Sequence, residues 1–574
     1  MNCRNKFKLT AIAMMVGSSM SANAALYQVI EVSPEVNGDV VDYQTAYGVA
    51  IQQGDVEVSG SAAALGCFDS AAGCTEEQFK LAVETRTTPL SSGQAVDGIS
   101  YREELPFAMD ARFAYVDDED DFESYCYYHL GYNTCETWAS VNYAPWRQEY
   151  YYKDFTSNAL AFVEGDSAAY VNEYNNVINS LTEDGQAVGN QSIIDPDDSS
   201  SLETRNKIVA PVVPAVVETD SGVVESHAWK TDGTFTVGSI SRSATNTNGT
   251  HHTSKAAIWD QTGTESEISW ETDDFDEDER LAQGSMRDFI VDGTTVYGVG
   301  YNTFDSDRNQ LNAAVFVGSL QSETSIADGV TWSSKVVAGA RQREDGDNIH
   351  SNSRLTGVNE NFIGIGEAKR SISTSGAYPN RLFIVSDVRA DSLSATYLNS
   401  GIFFSGAGGK MGAINAYNEI VGQLDADSTR EDDGKPRRKR GFIYPYNADS
   451  SVSERLSLFQ NKAWFLDDLT NGDSDDDISE GNNEFRIIDA TDINDAGVIS
   501  GTAFKCAGGY NSTAHNASCD DTETVVAVKL LPLGGKTQDD IVTRSVESES
   551  ATREGAGLGW LALTMLGLFG FRRK

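Results

Sequence analysis

The amino-acid sequence predicts an all-β fold: a repeat-built β-propeller of about six or seven blades with a disulfide-stapled insertion near the N-terminus. Three observations predict it. Helical periodicity of 3.6 residues is hard to find through the middle of the chain, whereas short runs rich in Val, Ile, Thr, Phe and Tyr alternate with Gly, Asn, Asp and Ser. A nine-residue motif ending in Gly recurs along the chain, and a short apolar strand follows most of its copies after a polar loop.

The motif reads LTEDGQAVG (181–189), IVDGTTVYG (290–298), VNENFIGIG (358–366), INAYNEIVG (414–422) and INDAGVISG (493–501). Each copy opens on an apolar residue, places a turn former at position four or five and closes on Gly. Physically this is a strand end, a tight turn and a return strand, with a Gly that permits a bulge or a close backbone approach. IQQGDVEVSG (51–60) is a looser copy, and KTDGTFTVG (230–238) overlaps a neighbouring strand signal. The apolar strands are AAIWD (256–260), AAVFVG (313–318), RLFIVSD (381–387), GFIYPY (441–446) and VVAVKLLPLGG (525–535). Gly298, Gly366, Gly422 and Gly501 are spaced 68, 56 and 79 residues apart, as expected for multi-strand units joined by variable loops.

The segments follow in order. Residues 1–24 carry Arg4, Lys6 and Lys8, then an apolar run at 9–16, then Ala22-Asn23-Ala24. The run is shorter than the roughly 20 apolar residues of a bilayer span, and the three parts in this order read as a secretory signal peptide cleaved after Ala24. Residues 25–535 form the propeller-like repeat domain, with the insertion at about 65–175, either an elaborated blade or an inserted subdomain. The best helical stretch is 75–84. Residues 536–554 read as a polar linker, and 555–574 as a C-terminal sorting signal or transmembrane segment.

Formal net charge is −43; without the six positive charges Arg4, Lys6, Lys8, Arg572, Arg573 and Lys574 of the two ends, the body carries −49. So acidic a body repels nucleic-acid phosphates, and no nucleic-acid partner is expected. Seven cysteines are present; Cys3 leaves with the signal peptide, and the rest form three close pairs, Cys67–Cys74, Cys126–Cys135 and Cys506–Cys519. Local pairing suggests three short-loop disulfides made in an oxidising compartment.

Tyr127, Tyr128, Tyr132, Trp138, Tyr143, Trp146, Tyr150, Tyr151 and Tyr152 crowd one stretch of the insertion. Buried, they are the core of the insertion; exposed, they stack on sugar rings or anchor a protein, with Tyr128, Tyr132, Trp138 and Trp146 as ligand-binding candidates. Asp473, Asp475, Asp477 and Glu484 fall at positions 1, 3, 5 and 12 of a calcium-loop register, with Ser479 and Gly481 between them, but Ile478 replaces the Gly of the sharp turn. They are the Ca²⁺ candidates; no other cofactor is expected. The basic run at 435–440 reads foremost as a solvated loop paired with the protein's own acids, and otherwise as a contact for an acidic partner or lipid A phosphates or as a protease-sensitive tip. The sequence holds no G-x-S-x-G, H-E-x-x-H or Walker motif, and adjacent His251 and His252 on an extended chain point to opposite faces. No catalytic residue is assigned.

Two resemblances add to this reading. Gly557-Leu558-Gly559-Trp560-Leu561-Ala562-Leu563, then Leu566-Gly567-Leu568-Phe569-Gly570, then Arg572, Arg573 and Lys574 resemble the Gly-Gly C-terminal sorting signals of Gram-negative bacteria. That resemblance implies a rhombosortase-like protease cutting near Gly555, Gly557 or Gly559, type II secretion machinery, and delivery to the outer cell surface or medium. Asn494-Asp495-Ala496-Gly497-Val498-Ile499-Ser500-Gly501, followed by a strand ending Leu533-Gly534-Gly535, resembles the HAF repeat of predicted extracellular proteins. Arg440-Gly441-Phe442-Ile443-Tyr444 stands where that repeat has His-Ala-Phe, and His227-Ala228-Trp229 is closer to it. The whole is similar to uncharacterised exported proteins of Vibrio- and Shewanella-like bacteria. The function expected is a non-enzymatic surface protein binding a glycan or a protein; a secreted hydrolase or lyase with a channel site and a structural surface-layer component are the alternatives.

Overall fold

The computed structural model describes residues 25–86, 118–125, 160–211 and 223–546, apart from 37–38, 41–42, 173–175, 196, 199–201, 248, 278–279, 306–308, 345, 431–436 and 473–476, with scattered positions between 135 and 153. The fold is mostly β. Among the described residues, seven antiparallel sheets of three or four strands follow one another. The first holds Thr45–Ile51, Leu81–Arg86 and Leu160–Val163, and the second Val177–Leu181, Ala187–Ile194 and Leu202–Val209. The third holds Val223–Thr231, Phe235–Asn246, Gly249–Asp260 and Glu265–Glu267, and the fourth Ser285–Asp292, Thr295–Asn302, Asn312–Ser322 and Ser325–Val336. The fifth holds His350–Val358, Gly364–Arg370, Asn380–Val385 and Thr396–Tyr397, and the sixth Gly409–Ile414, Glu419–Asp425, Lys439–Pro445 and Trp464–Phe465.

The seventh sheet joins both ends of the chain. Its strands Phe485–Ile493, Ile499–Cys506 and Glu523–Pro532 are completed by Tyr27–Glu31, with Tyr27 opposite Pro532 and Glu31 opposite Val528. Each sheet packs on the next, and the seventh packs back on the first through Thr45–Ile51, so the contacts close a ring. One apolar cluster fills each junction. Phe235, Ile258, Met286 and Phe316 lie between the third and fourth sheets, and Ala46, Leu81, Ala527 and Leu531 between the first and seventh. Strand alternation explains this: Ile420 and Phe442 face the fifth sheet, whereas Val421 and Ile443, one residue on, face the seventh.

The nine-residue motif is the first hairpin of a sheet in six of its seven copies, KTDGTFTVG included. In the looser copy, Ile51 ends the first strand, but the return strand begins only at Leu81. The closing Gly takes the close approach its position demands. A Cβ on Gly238 would lie 1.7 Å from the His227 carbonyl oxygen, beside the bulge between Ala228 and Lys230. The five apolar strands read from the sequence are the third strands of sheets three to seven.

Three expectations change. The stretch 75–84 is no helix: Phe79 takes a φ of 62°, and Leu81 to Val83 are buried in a strand between two sheets. The insertion is narrower than 65–175, because Leu81–Arg86 and Leu160–Val163 belong to the first sheet and the excursion runs between them. The linker expected at 536–554 is no free stalk as far as residue 546. Ile541 packs on the core between sheets six and seven, and Arg544 is 6% exposed. The signal peptide at 1–24 and the tail at 555–574 lie outside the described residues. No described helix is long and apolar enough to cross a membrane.

Candidate functional site

A chain of side-chain amides links first hairpins of successive sheets. Asn359 Nδ2 donates to the Asn415 carbonyl at 2.9 Å, Asn415 Nδ2 to that of Asn494 at 3.1 Å, and Asn494 Nδ2 to that of Gln52 at 2.9 Å. Gln52 Nε2 then donates to the Glu183 carbonyl at 2.6 Å. The chain thus runs from the fifth sheet, through the sixth, seventh and first, to the second. Each Asn oxygen meanwhile holds its own turn, as Asn494 Oδ1 accepts from Val498 N at 2.9 Å. All four amides occupy position two of the motif, where the other copies carry Thr182, Thr231 and Val291. The two threonines bond within their own turns, to Gln186 N and to the Phe235 carbonyl. An amide at a fixed position of a repeat was the readable signal for this chain, and sequence reasoning passed over it.

Charges from the first strands of three sheets also interact. Lys230 of the third sheet stands 3.8 Å from Asp288 of the fourth. It also senses Asp492 and Asp495 of the seventh, a sheet it does not adjoin. The pull of Asp288 raises the Lys230 pKa against the cost of burial. Burial pushes the Asp288 and Asp492 carboxyls up, opposed by Lys230 and by main-chain N–H groups. Those N–H groups cross between sheets: Asp288 Oδ2 accepts from Val358 N at 3.1 Å, and Asp492 Oδ2 from Ile51 N at 3.0 Å. Both carboxylates are therefore already engaged in joining sheets. Tyr417 donates to Asp55 at 2.8 Å, and Ala416 N donates to Asp495 at 2.8 Å. Burial pushes the Asp495 carboxyl up to about 6, against the Ala416 N–H and with help from Asp55 and Glu360.

The structure distributes the residues singled out from sequence as follows. Tyr128, Tyr132, Trp138 and Trp146 lie outside the described residues. Of their neighbours, Tyr143 is buried at 9% exposure near Phe122, whereas Tyr151 and Tyr152 are 55% and 59% exposed. Arg147 Nη2 donates to the Tyr152 hydroxyl at 2.9 Å. Cys67–Cys74 and Cys506–Cys519 are disulfides, with Cα atoms 5.6 and 5.7 Å apart. Cys135 is disulfide-bonded, and its expected partner Cys126 lies outside the described residues. Asp473 and Asp475 also lie outside them; Asp477, Ser479 and Gly481 fall in the short helix Asp477–Asn482, and Glu484 is half-buried beyond it. Among the described residues no group of three or more His, Cys, Asp or Glu is placed to hold a metal ion. Gly555, Gly557 and Gly559 are outside the described residues, as is Ala24.

The basic run pairs inward. Arg437 is 2% exposed and donates to the carbonyls of Thr429, Gly406 and Ser375 while pairing with Asp425 at 3.1 Å. Arg438 pairs with Asp427, Lys439 with Asp425 and Arg440 with Asp467. The two HAF-like elements sit differently, Arg440 to Tyr444 in the third strand of the sixth sheet and His227 to Trp229 in the first strand of the third.

The family described as "Protein of unknown function (DUF3466)" matches residues 225–574, which spans sheets three to seven. The chain belongs to this family. The DUF3466 region begins inside the first strand of the third sheet, so the first two sheets and the closing strand Tyr27–Glu31 lie before it. No curated protein matches the chain. Similar solved structures include a thermostable family-43 glycoside hydrolase, at 12% identity and TM-score 0.22, covering 43% of this chain and 80% of that one. A phage phi92 endosialidase is 11% identical at TM-score 0.23, over 58% of this chain and 48% of that one. Bacillus subtilis levansucrase is 9% identical at TM-score 0.23, over 55% and 83%. Superpositions this loose transfer no activity to the DUF3466 chain.

Proposed function

We propose that this protein is a seven-bladed β-propeller of HAF-repeat type, exported to the outer cell surface or the medium, that binds a glycan or a protein without catalysis. The blade reading rests on the seven sheets, their ring of contacts and the amide chain that links first hairpins. The binding reading rests on one observation: Tyr151 and Tyr152 stand exposed in the excursion between Arg86 and Leu160, with Arg147 beside Tyr152. Large aromatic surfaces left to solvent next to an arginine suit stacking on a sugar ring or anchoring a partner. In this reading the leader ending at Ala24 and the tail at 555–574 are removed, the latter by a rhombosortase-like protease, and type II secretion machinery delivers the protein to the outer surface or medium.

The test is a glycan and cell-surface panel probed with the purified mature protein, with and without Ca²⁺, beside a Tyr151→Ala/Tyr152→Ala variant. Binding by the parent that the variant loses supports the reading. Turnover of a polysaccharide or peptide with no binding through the tyrosines overturns it. Mass spectrometry of the secreted protein tests both cleavages. The convergence of Lys230, Asp288 and Asp492 favours a second reading, a hydrolase or lyase with a channel site. Turnover abolished by Asp288→Asn with the fold intact would support that reading.

A further inference from the structure

Of the buried polar side-chain atoms that make no hydrogen bond among the described residues, four gather at the junction of the sixth and seventh sheets. They are Tyr27 Oη, Glu419 Oε1, Arg455 Nε and Arg455 Nη1. Tyr27 and Glu419 are 0% exposed and Arg455 is 1% exposed. The three residues come from distant parts of the chain: the closing strand, the second strand of the sixth sheet, and the short helix Ser453–Leu458. Arg455 Nη1 stands 3.6 Å from Glu419 Oε1, an ion pair too long for a hydrogen bond. The Tyr27 phenol senses both partners: burial pushes it well above its ordinary range, Glu419 adds to the rise and Arg455 opposes it.

The guanidinium is held where it is. Its Nη2 donates to the Asp495 carbonyl, and the Tyr417 ring lies 4.3 Å away. Gly66 and Gly497 approach so closely that a Cβ on either would lie 3.0 Å from Nη2 or 2.9 Å from Nη1. Glu419 is equally fixed, its Oε2 accepting from Asn415 Nδ2 at 2.7 Å. Neither group can swing to close the gap without breaking these contacts.

Buried polar groups are paired in the great majority of cases, and a polar gap beyond 3.5 Å is commonly bridged by water. This cluster offers donors on Arg455, an acceptor on Glu419 and a hydroxyl that does either, with formal charges that cancel. Such a set suits a neutral molecule that both donates and accepts, with the two to four partners a buried water needs. An extra ion would leave uncompensated charge there. We propose that the junction holds an internal water site, in which one or two ordered waters bridge Glu419 Oε1, Arg455 and Tyr27 Oη and tie the closing strand to the sixth sheet.

The test pairs a high-resolution crystal structure of the mature protein with urea unfolding of Tyr27→Phe. The expected results are ordered water at about 2.7–3.2 Å from these atoms and an unfolded-to-folded ratio raised roughly threefold to tenfold by loss of the bridged hydroxyl. A dry junction, or a bromide peak there in crystals grown with that anion, overturns the proposal. So does a Tyr27→Phe variant as stable as the parent or more so, since deleting an unpaired buried hydroxyl relieves the fold.

Discussion

Asn494 Nδ2 donates to the Gln52 carbonyl at 2.9 Å, joining the hairpin of the last sheet to that of the first. The same side chain accepts from Val498 N, and it is 0% exposed. One amide therefore fixes its own turn and the neighbouring sheet at once.

Asn494→Ala should leave the half-buried Gln52 carbonyl and the buried Val498 N–H unpaired. The expected loss is about 2 kcal/mol, read from urea unfolding. Thr182→Ala serves as the contrast, since Thr182 bonds only within its own turn, and should cost about 1 kcal/mol or less. Equal losses would count against the inter-sheet role.

Gly238→Ala should be strongly destabilising. A Cβ there would meet the His227 carbonyl oxygen at 1.7 Å, a backbone atom that cannot step aside. A cost of about 3 kcal/mol or more is expected, seen as a lowered melting temperature. Gly481→Ala, with nothing within 4 Å of its Cβ in a short helix, should be neutral or stabilising by about 0.5–1 kcal/mol.

Asp495 gives the fold a pH dependence of stated sign. Its folded pKa, about 6, lies above the unfolded value near 3.9. The folded state therefore takes up its proton first as pH falls, and stability contributed by this group grows from about pH 7 down to about pH 4. Unfolding measured across that window should show Asp495→Asn losing this part of the slope.

His515 and Asp467 act with opposite signs on the C-terminal segment. His515 Nε2 lies 3.1 Å from Asp468 Oδ1, which also accepts from Arg544 N at 2.7 Å, and His515 N donates to the Ser545 carbonyl at 2.9 Å. Burial works against a charged imidazole, but the nearby Asp467 and Asp468 carboxylates outweigh it and raise the His515 pKa. Its contribution is complete below the unfolded value near 6.5 and fades as pH rises through the folded one. Burial likewise opposes the Asp467 carboxylate, yet His515 and the arginines Arg440, Arg544 and Arg486 hold its pKa far below the usual range. That contribution is lost as pH falls below about 4. Hydrogen exchange at Arg544, corrected for intrinsic rate, should be slowest between about pH 4 and 6.5, and His515→Gln should remove the alkaline limb.

Removing residues 25–32 deletes the closing strand. Tyr27 and Val29, at 0% and 8% exposure, leave an apolar cluster, and Glu523–Pro532 becomes a bare edge. Several kcal/mol should be lost, and the truncated protein should aggregate through that edge. Size-exclusion chromatography with a melting curve checks both.

The hairpins were legible in the sequence because their signals are local. Position nine needs Gly for a close approach within fifteen residues, and alternation such as Ile420 and Val421 needs only neighbouring positions. The pairing of Arg437 to Arg440 with the protein's own acids was legible too, as a cationic run in an acidic body, but the loop was expected in solvent, whereas Arg437 and Arg440 are buried. What escaped is non-local. Tyr27 has no marker for pairing with Pro532, and nothing near Lys230 announces Asp288 or Asp492. Leu81 to Val83 were absorbed into a helix because the polar run before them masked a strand buried on both faces. The amide chain escaped for a different reason: position two carries an amide in four of the seven copies and Thr or Val in the rest, and the carbonyl each amide meets belongs to another sheet.

The closing strand also imposes a schedule. Tyr27 is made 505 residues before Pro532, the residue it faces. At synthesis rates of about 5–20 residues per second, that is a wait of roughly 25 to 100 seconds. During that interval the start of the chain has no partner in the seventh sheet, and the ring stays open until nearly the last of its strands has emerged.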